Sequence, residues 1–157
     1  AIGLVVAGLG THETIKAVEA TLQGPATVVS CTVQVAVVSV VPFAKFYQVT
    51  PEAILIAHDE LDMDPGIIRL KTGGGHGGHN GLRDIVPHIG PNFHRLRIGI
   101  GHPGSKERVS GHVLGKAPSS EQALMDAAID HALSKVKMLV DGQVSQAMNQ
   151  INAYKPA

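Results

Sequence analysis

The distribution of apolar residues along the chain predicts four strands. Residues 2–9 and 53–57 are nearly unbroken apolar runs, which is typical of strands buried on both faces. Residues 67–71 and 93–100 alternate apolar and polar side chains, so each predicts a strand with one buried face. The stretch 24–41 carries no charged residue and is rich in valine, threonine and serine, which predicts one or two further buried strands.

Helical spacing of apolar residues marks five further segments. The predicted helices cover residues 12–22, 38–48, 81–90, 119–140 and 144–151. Asn80 is the expected N-cap of the third helix and Ser119 or Ser120 that of the fourth, which Gly142 ends. Strands interleaved with helices predict an α/β fold: a single domain over residues 1–157, with a mixed central sheet flanked by helices.

Composition and charge narrow the classes of function. The 157 residues carry a formal net charge of zero, so nucleic acid binding would need a local basic patch rather than a global field. Cys31 is the only cysteine, which excludes an intrachain disulfide framework and favours a reducing compartment. No apolar run reaches the roughly 20 residues of a membrane span, and the first residues lack the basic start of a signal peptide.

The most unusual stretch is Gly73–Leu82, in which six of ten residues are glycine. Between the glycines stand His76, His79 and Asn80, which offer donors and acceptors at neutral pH. Dense glycine suggests unusual backbone dihedrals or a ligand that approaches closely. The alternative is a mobile glycine loop that happens to hold histidines.

Acidic and basic residues flank the glycine stretch on the predicted strands. Asp59 follows a buried strand, where an acid can orient a histidine for general-base catalysis, although it could also be a turn acid on a solvated loop. Lys71, Arg95 and Arg97 lie on two strands and either grip a phosphate or form a solvated strand face.

A metal site is the third chemistry considered. His76 and His79 are three residues apart, but two glycines separate them and no further ligand stands at a recognised spacing. We therefore expect neither a metal nor a cofactor. The segment 102–116 is loop-rich, with basic residues at 106, 108 and 116, and is expected to be a basic lid.

The segments HDELDMDPGIIRLKTGGGHGGHNGLRDIV and PNFHRLRIGIGHPG closely resemble bacterial peptidyl-tRNA hydrolases. The resemblance runs from about Ser39 to the end of the chain. It implies a single α/β domain that is cytoplasmic, usually monomeric and metal-free. It also implies hydrolysis of the ester between a peptide and tRNA, which recycles tRNA from aborted translation, with peptidyl-tRNA as the partner and no membrane.

The resemblance also implies roles for individual residues. Asp59 corresponds to the acid that orients the catalytic histidine, and Asn80 to an amide that binds the peptide or positions water. His79 corresponds to a supporting donor beside it. Lys71 and Arg97 correspond to the clamp for the 5′ phosphate of tRNA, and the loop 104–115 resembles the family's mobile lid.

The first third of the chain departs from the family pattern. The family has Asn-Pro after its first strand and then Arg-His-Asn, which carries the base; here Thr11-His12 follows Gly8-Leu9-Gly10, and no Arg-His-Asn occurs. The segment is also roughly thirty residues shorter than the pattern. The family's histidine base is therefore not found, and His12, at the end of the first strand, is the substitute candidate. The alternatives are a catalytically impaired tRNA-binding module that lacks the base and a metal hydrolase that uses His76 and His79.

Overall fold

A computed structural model describes residues 3–7, 28–31, 36–46 and 48–157, and within these ranges five strands form one sheet. The strands are β1 (Gly3–Ala7), β2 (Val28–Cys31), β3 (Ile54–Glu60), β4 (Ile68–Thr72) and β5 (His94–Gly99). Their order is β2-β1-β3-β5-β4, and every neighbouring pair is parallel except β4 and β5. The prediction of a mixed sheet is confirmed.

The described helices are α1 (Ala36–Phe46), α2 (Asn80–Ile89), α3 (Val109–Leu114), α4 (Ser119–Leu133), α5 (Val136–Val140) and α6 (Val144–Asn152). None of them is long and apolar enough to cross a membrane. The helices predicted over 38–48, 81–90 and 144–151 correspond to α1, α2 and α6. The helix predicted over 12–22 lies outside the described residues.

Three predictions about these elements were wrong in whole or in part. Of the stretch 24–41, residues 28–31 form a strand, but residues from 36 onward belong to helix α1, because a short apolar run does not distinguish a strand from a buried helix. The single helix over 119–140 is two helices. Ser134 Oγ donates a 2.6 Å hydrogen bond to the carbonyl oxygen of His131, and such bonds compete with helix continuation. The Ser119 or Ser120 cap is also wrong, since Pro118 precedes the first turn of α4 and no side chain caps it.

Apolar clusters cover both faces of the sheet. One cluster joins the strands to α4, α5 and α6, and its members include Leu55, Leu70 and Leu96. The other joins Ile54 and Ile56 of β3 to α1 and α2. Because side chains alternate along a strand, His58 and Glu60 lie on the same face of the sheet as Arg95 and Arg97. The charged ends of two strands therefore meet beside the start of α2.

Helix α6 is fastened to the edge strand β4 by one amide side chain. Asn152 Oδ1 accepts a 2.7 Å hydrogen bond from the backbone N–H of Leu70, and Asn152 Nδ2 donates a 3.1 Å bond to the Leu70 carbonyl oxygen. The side chain thus satisfies both backbone groups that Leu70 directs away from β5. Covering polar groups at a sheet edge also blocks pairing with another chain.

Candidate active site

Asp59 and His79 form a hydrogen-bonded pair where β3 ends and α2 begins. His79 Nε2 lies 2.9 Å from Asp59 Oδ1, and the two side chains are only 10% and 8% exposed. Asp59 lies within β3 rather than on the turn that follows it. Its burial and its partner contradict the alternative that it is a solvated turn acid.

His79 is the N-cap residue of α2, so the prediction that Asn80 caps this helix was wrong. His79 Nδ1 accepts a 3.2 Å hydrogen bond from the backbone N–H of Leu82, and Asn80 is the first helical residue. A neutral imidazole has one nitrogen that accepts and one that donates. Because Nδ1 accepts, Nε2 carries the proton and donates it to Asp59. Both nitrogens of His79 are therefore occupied.

Asp59 keeps one carboxylate oxygen free of partners among the described residues. Oδ1 accepts from His79, while Oδ2 makes no hydrogen bond to a described residue. The side chain also lines a cleft at the surface. A second imidazole or a water molecule could therefore be held by Oδ2 while His79 holds Oδ1.

His58 packs behind this pair as a buried neutral imidazole. Its ring centroid lies 4.9 Å from that of His79 with the rings at 60°, and the residue is 2% exposed. Burial, together with the neighbouring His79, lowers the pKa of His58 to about 4. Nδ1 donates a 2.8 Å hydrogen bond to the carbonyl oxygen of Asp59, and Nε2 has no partner among the described residues.

The cleft beside the pair has a volume of about 230 Å³ and is lined by both acidic and apolar side chains. Its wall includes Asp59, Glu60, His79, Asn80, His102 and Val113. Arg83, one turn further along α2, donates a hydrogen bond to Asn80 Oδ1. Since that oxygen is engaged, the amide hydrogens on Asn80 Nδ2 are left to donate into the cleft.

The glycine stretch is tied to the sheet by a buried arginine. Arg95 donates to the carbonyl oxygens of Gly74, at 2.6 Å, and of Gly75, and its guanidinium also lies 4.5 Å from the centre of the Phe93 ring. Burial, and next the neighbouring Arg97, lower the pKa of Arg95. These contacts fasten the glycine stretch to β5. They also remove Arg95 from the set of cations that are open to a ligand.

The two remaining cations of the predicted clamp lie on the same face of the sheet. Lys71 is exposed, and a Cβ atom at Gly74 would lie 2.9 Å from its Nζ, so the glycine lets the ammonium group rest against the loop. Arg97 is 30% exposed and donates to Glu60 Oε2 from Nε at 3.2 Å and from Nη2 at 3.1 Å. The structure therefore pairs Arg97 with a carboxylate that the sequence did not indicate.

Among the described residues, no group of three metal-ligating side chains is close enough to hold a metal ion. Both ring nitrogens of His79 are engaged, Nε2 with Asp59 and Nδ1 with the backbone N–H of Leu82. His76 Nδ1 accepts a 3.0 Å hydrogen bond from the backbone N–H of Gly78. The structure does not bring these two histidines together as a ligand pair.

The expected lid contains a helix rather than loop alone. Lys106–Arg108 form a 3₁₀ turn that leads into α3, whose Val109 and Val113 line the cleft. His112 Nε2 donates a 2.9 Å hydrogen bond to the carbonyl oxygen of Ile100, which fastens α3 to the end of β5. Its movement remains a prediction.

Sequence reasoning gave no role to Glu60, Arg83 or the ring of His58. The alternation of β3 and β5 could have placed Glu60 on the face of Arg97, but only once the two strands were known to be neighbours. His12 lies outside the described residues, so the structure does not place it relative to Asp59.

Residues 9–157 match the profile of the peptidyl-tRNA hydrolase family. A peptidyl-tRNA hydrolase of Acinetobacter baumannii strain AYE is 92% identical over 119 residues, which make up 76% of this chain and 62% of that relative. The corresponding protein of Acinetobacter baylyi is 85% identical over 118 residues, 75% of this chain and 61% of the relative. The chain thus spans less than two thirds of the length of these curated relatives.

Solved structures agree with the fold. The crystal structure of peptidyl-tRNA hydrolase from Acinetobacter baumannii matches with a TM-score of 0.88 and 60% identity, covering 99% of this chain and 97% of that one. A complex of peptidyl-tRNA hydrolase with N-propanol also matches with a TM-score of 0.88, at 59% identity and the same coverage.

Proposed function

The chain belongs to the peptidyl-tRNA hydrolase family, and we propose that it hydrolyses the ester bond between a peptide and the 3′ end of tRNA. The observation that carries the proposal is the buried Asp59–His79 pair at the wall of a cleft that Asn80 also lines. The substrate is peptidyl-tRNA, and the products are a free peptide and a tRNA that can be charged again. We further propose that the protein acts as a cytoplasmic monomer without a metal.

The reaction requires a water molecule to attack the ester carbonyl. A base removes one proton from the water as its oxygen bonds to the carbonyl carbon, and negative charge develops on the carbonyl oxygen. The bond to the 3′ oxygen of tRNA then breaks, and that oxygen takes up the proton. Asn80 Nδ2 is suited to donate to the developing oxyanion, since Arg83 holds the amide oxygen.

His79 is not suited to be the base. Its Nδ1 lone pair already accepts from Leu82, and its Nε2 carries the proton that Asp59 accepts. His102, also on the cleft wall, spends its Nδ1 lone pair on the backbone N–H of Gly104 at 3.1 Å. His58 is buried, and its pKa of about 4 makes it a weak base at neutral pH. We therefore assign His79 to the support of Asp59.

The free oxygen of Asp59 is then available to orient the base itself. An imidazole whose N–H donates to a carboxylate keeps the correct tautomer, and the carboxylate stabilises the imidazolium that forms. His12 is the only histidine outside the residues that the structure describes. It is therefore the residue to test as the base. If His12 is the base, the His12→Ala variant should lose turnover and still bind tRNA.

Lys71 and Arg97 are proposed to bind the 5′ phosphate of tRNA. Both project from the same face of neighbouring strands, and phosphate is a preferred ligand of paired cations. A formal net charge of zero agrees with a local contact of this kind rather than a diffuse basic surface.

The proposal is tested by the turnover of a peptidyl-tRNA by purified chain and by its Asp59→Asn variant. We expect kcat to fall about 10²–10⁴-fold in the variant, because the base loses its orienting carboxylate, while tRNA affinity stays near that of the wild type. Asp64→Asn is a matched control, since Asp64 is an exposed acid close to the same strand. Equal kcat in all three proteins would contradict the assigned role. Tight binding of tRNA with no turnover by the wild type would instead indicate a binding module.

A further inference from the structure

The basic face formed by β4 and β5 lies beside Glu60 at the end of β3. Arg69, Lys71, Arg95 and Arg97 share this face, and among the described residues only Glu60 forms an ion pair with any of them. The other three have different surroundings: Arg95 binds loop carbonyls, Arg69 donates to the carbonyl oxygen of Ile68, and Lys71 is exposed. Arg97 is thus the cation whose charge is already neutralised.

Glu60 is held in position by both of its carboxylate oxygens. Oε2 accepts two hydrogen bonds from Arg97, and Oε1 accepts a 3.3 Å bond from the backbone N–H of Asp62. Its neighbour across the sheet is Gly99, and a Cβ atom there would collide with the backbone of Met63 and Asp64 rather than with Glu60. The Glu60 side chain is 14% exposed and also lines the cleft, so the pair is shielded from solvent more than a surface ion pair.

A phosphate that binds Arg97 must therefore displace Glu60 or share the guanidinium with it. A phosphodiester of the RNA backbone carries one negative charge, the same as the carboxylate it would replace. A terminal phosphate monoester carries about −1.5 to −2 at neutral pH and has three strong acceptor oxygens. Replacing Glu60 at Arg97 with a terminal phosphate therefore strengthens the charge interaction. Replacing it with a phosphodiester strengthens that interaction little or not at all.

We propose that Glu60 determines the phosphate specificity of the Lys71–Arg97 pair: by holding Arg97 in the free protein, it lets a terminal phosphate bind and disfavours backbone phosphates. This inference rests on the proposed function of that pair. Glu60 acts through Arg97 and takes no part in ester cleavage.

The test compares deacylated tRNA that carries a 5′ phosphate with the same tRNA that carries a 5′ hydroxyl. Binding is measured by fluorescence anisotropy, so the result does not depend on turnover. In Glu60→Gln, the shape and the contact with Asp62 are kept but the charge is lost. We expect this variant to bind the 5′-hydroxyl tRNA about two- to five-fold more tightly than the wild type, the range for partly exposed charge pairs. The preference for the 5′ phosphate should fall by a similar factor.

Glu52→Gln is the matched control. It makes the same substitution just before the opposite end of β3, where the side chain is exposed. This variant should keep the wild-type preference, because it leaves the Arg97 environment unchanged. A second variant, Glu60→Asp, moves the carboxylate back by one methylene and should shift the preference in the same direction by less. Far-UV circular dichroism establishes that each variant is folded at the assay temperature.

A double variant separates the inference from the clamp on which it rests. In an Arg97→Ala background, Glu60→Gln should have no further effect on the preference, because the residue it acts through is gone. An unchanged preference in Glu60→Gln, with a reduced preference in Arg97→Ala, would overturn the role of Glu60 and leave the clamp intact. If the wild type and Arg97→Ala bind both tRNAs equally, the clamp itself is wrong.

Discussion

His58 should make the stability of the protein depend on pH in a defined window. Its pKa falls from the usual 6.5 to about 4 in the folded protein, chiefly because the ring is buried and also because His79 lies against it. Between these two values the unfolded chain binds a proton that the folded protein does not. The destabilising effect of His58 is therefore absent above about pH 6.5. Below that value the free energy of unfolding decreases as the pH falls towards 4.

The magnitude follows from the same two values. At about 1.4 kcal/mol per pH unit, the full difference is about 3 kcal/mol, of which about 2 kcal/mol is lost between pH 7 and pH 5. The acidic residues Asp59 and Glu60 lie beside the ring and both raise the pKa of His58. Their effect is smaller than the lowering caused by burial. Arg97, the neighbour of His58 on β5, is paired with Glu60.

The assay is urea unfolding followed by circular dichroism at pH 7, 6 and 5, for the wild type and His58→Asn. Other groups also titrate in this range, so the informative quantity is the difference between the two proteins at each pH. We expect the wild type to lose about 2 kcal/mol more than His58→Asn on going from pH 7 to pH 5. His88→Asn, at an exposed position on α2, is the control and should follow the wild type. Parallel curves for the wild type and His58→Asn would refute a buried neutral ring.

Three further predictions follow from other contacts. Lys71→Ala should flatten the log–log salt dependence of tRNA binding by roughly 0.7–0.9, the effect of one lost phosphate contact, whereas an unchanged slope would remove Lys71 from the clamp. Excess EDTA should leave turnover unchanged, and inactivation that added metal reverses would favour a metal hydrolase. Asn152→Ala should lower the free energy of unfolding by about 1–3 kcal/mol, because Leu70 loses partners for both backbone groups, and a wild-type melting temperature would contradict this.

Much of the fold was predictable from local patterns. The alternation in residues 93–100 placed Arg95 and Arg97 on one face, and β5 has this arrangement. The apolar run 53–57 correctly predicted a buried strand that ends at His58, Asp59 and Glu60. Both patterns succeed because they report burial: alternation marks a strand with one buried face, and an apolar run marks a strand buried on both faces. Residues 36 and 37 were assigned to a strand but lie in helix α1, because a short apolar run does not distinguish a strand from a buried helix.

The sequence indicated which residues line the candidate site, but it did not indicate the contacts between them. Asp59, His79 and Asn80 were named from motif and resemblance, and the structure brings all three to one cleft. The choice of His79 over Asn80 as the helix cap depends on where the first turn begins, which sequence fixes only within a few residues. The Glu60–Arg97 pair joins residues 37 apart in sequence, and only the order of strands brings them together.

The central claim is tested most directly by incubating the purified chain with a labelled peptidyl-tRNA in ¹⁸O-enriched water. Attack of water on the ester carbonyl places one ¹⁸O atom in the carboxylate of the released peptide and none in the 3′ hydroxyl of tRNA. We predict this pattern, at a rate far above spontaneous hydrolysis, for a protein whose intact mass matches the printed sequence. Release of peptide at the spontaneous rate by such a protein, with tRNA still bound, would contradict the account.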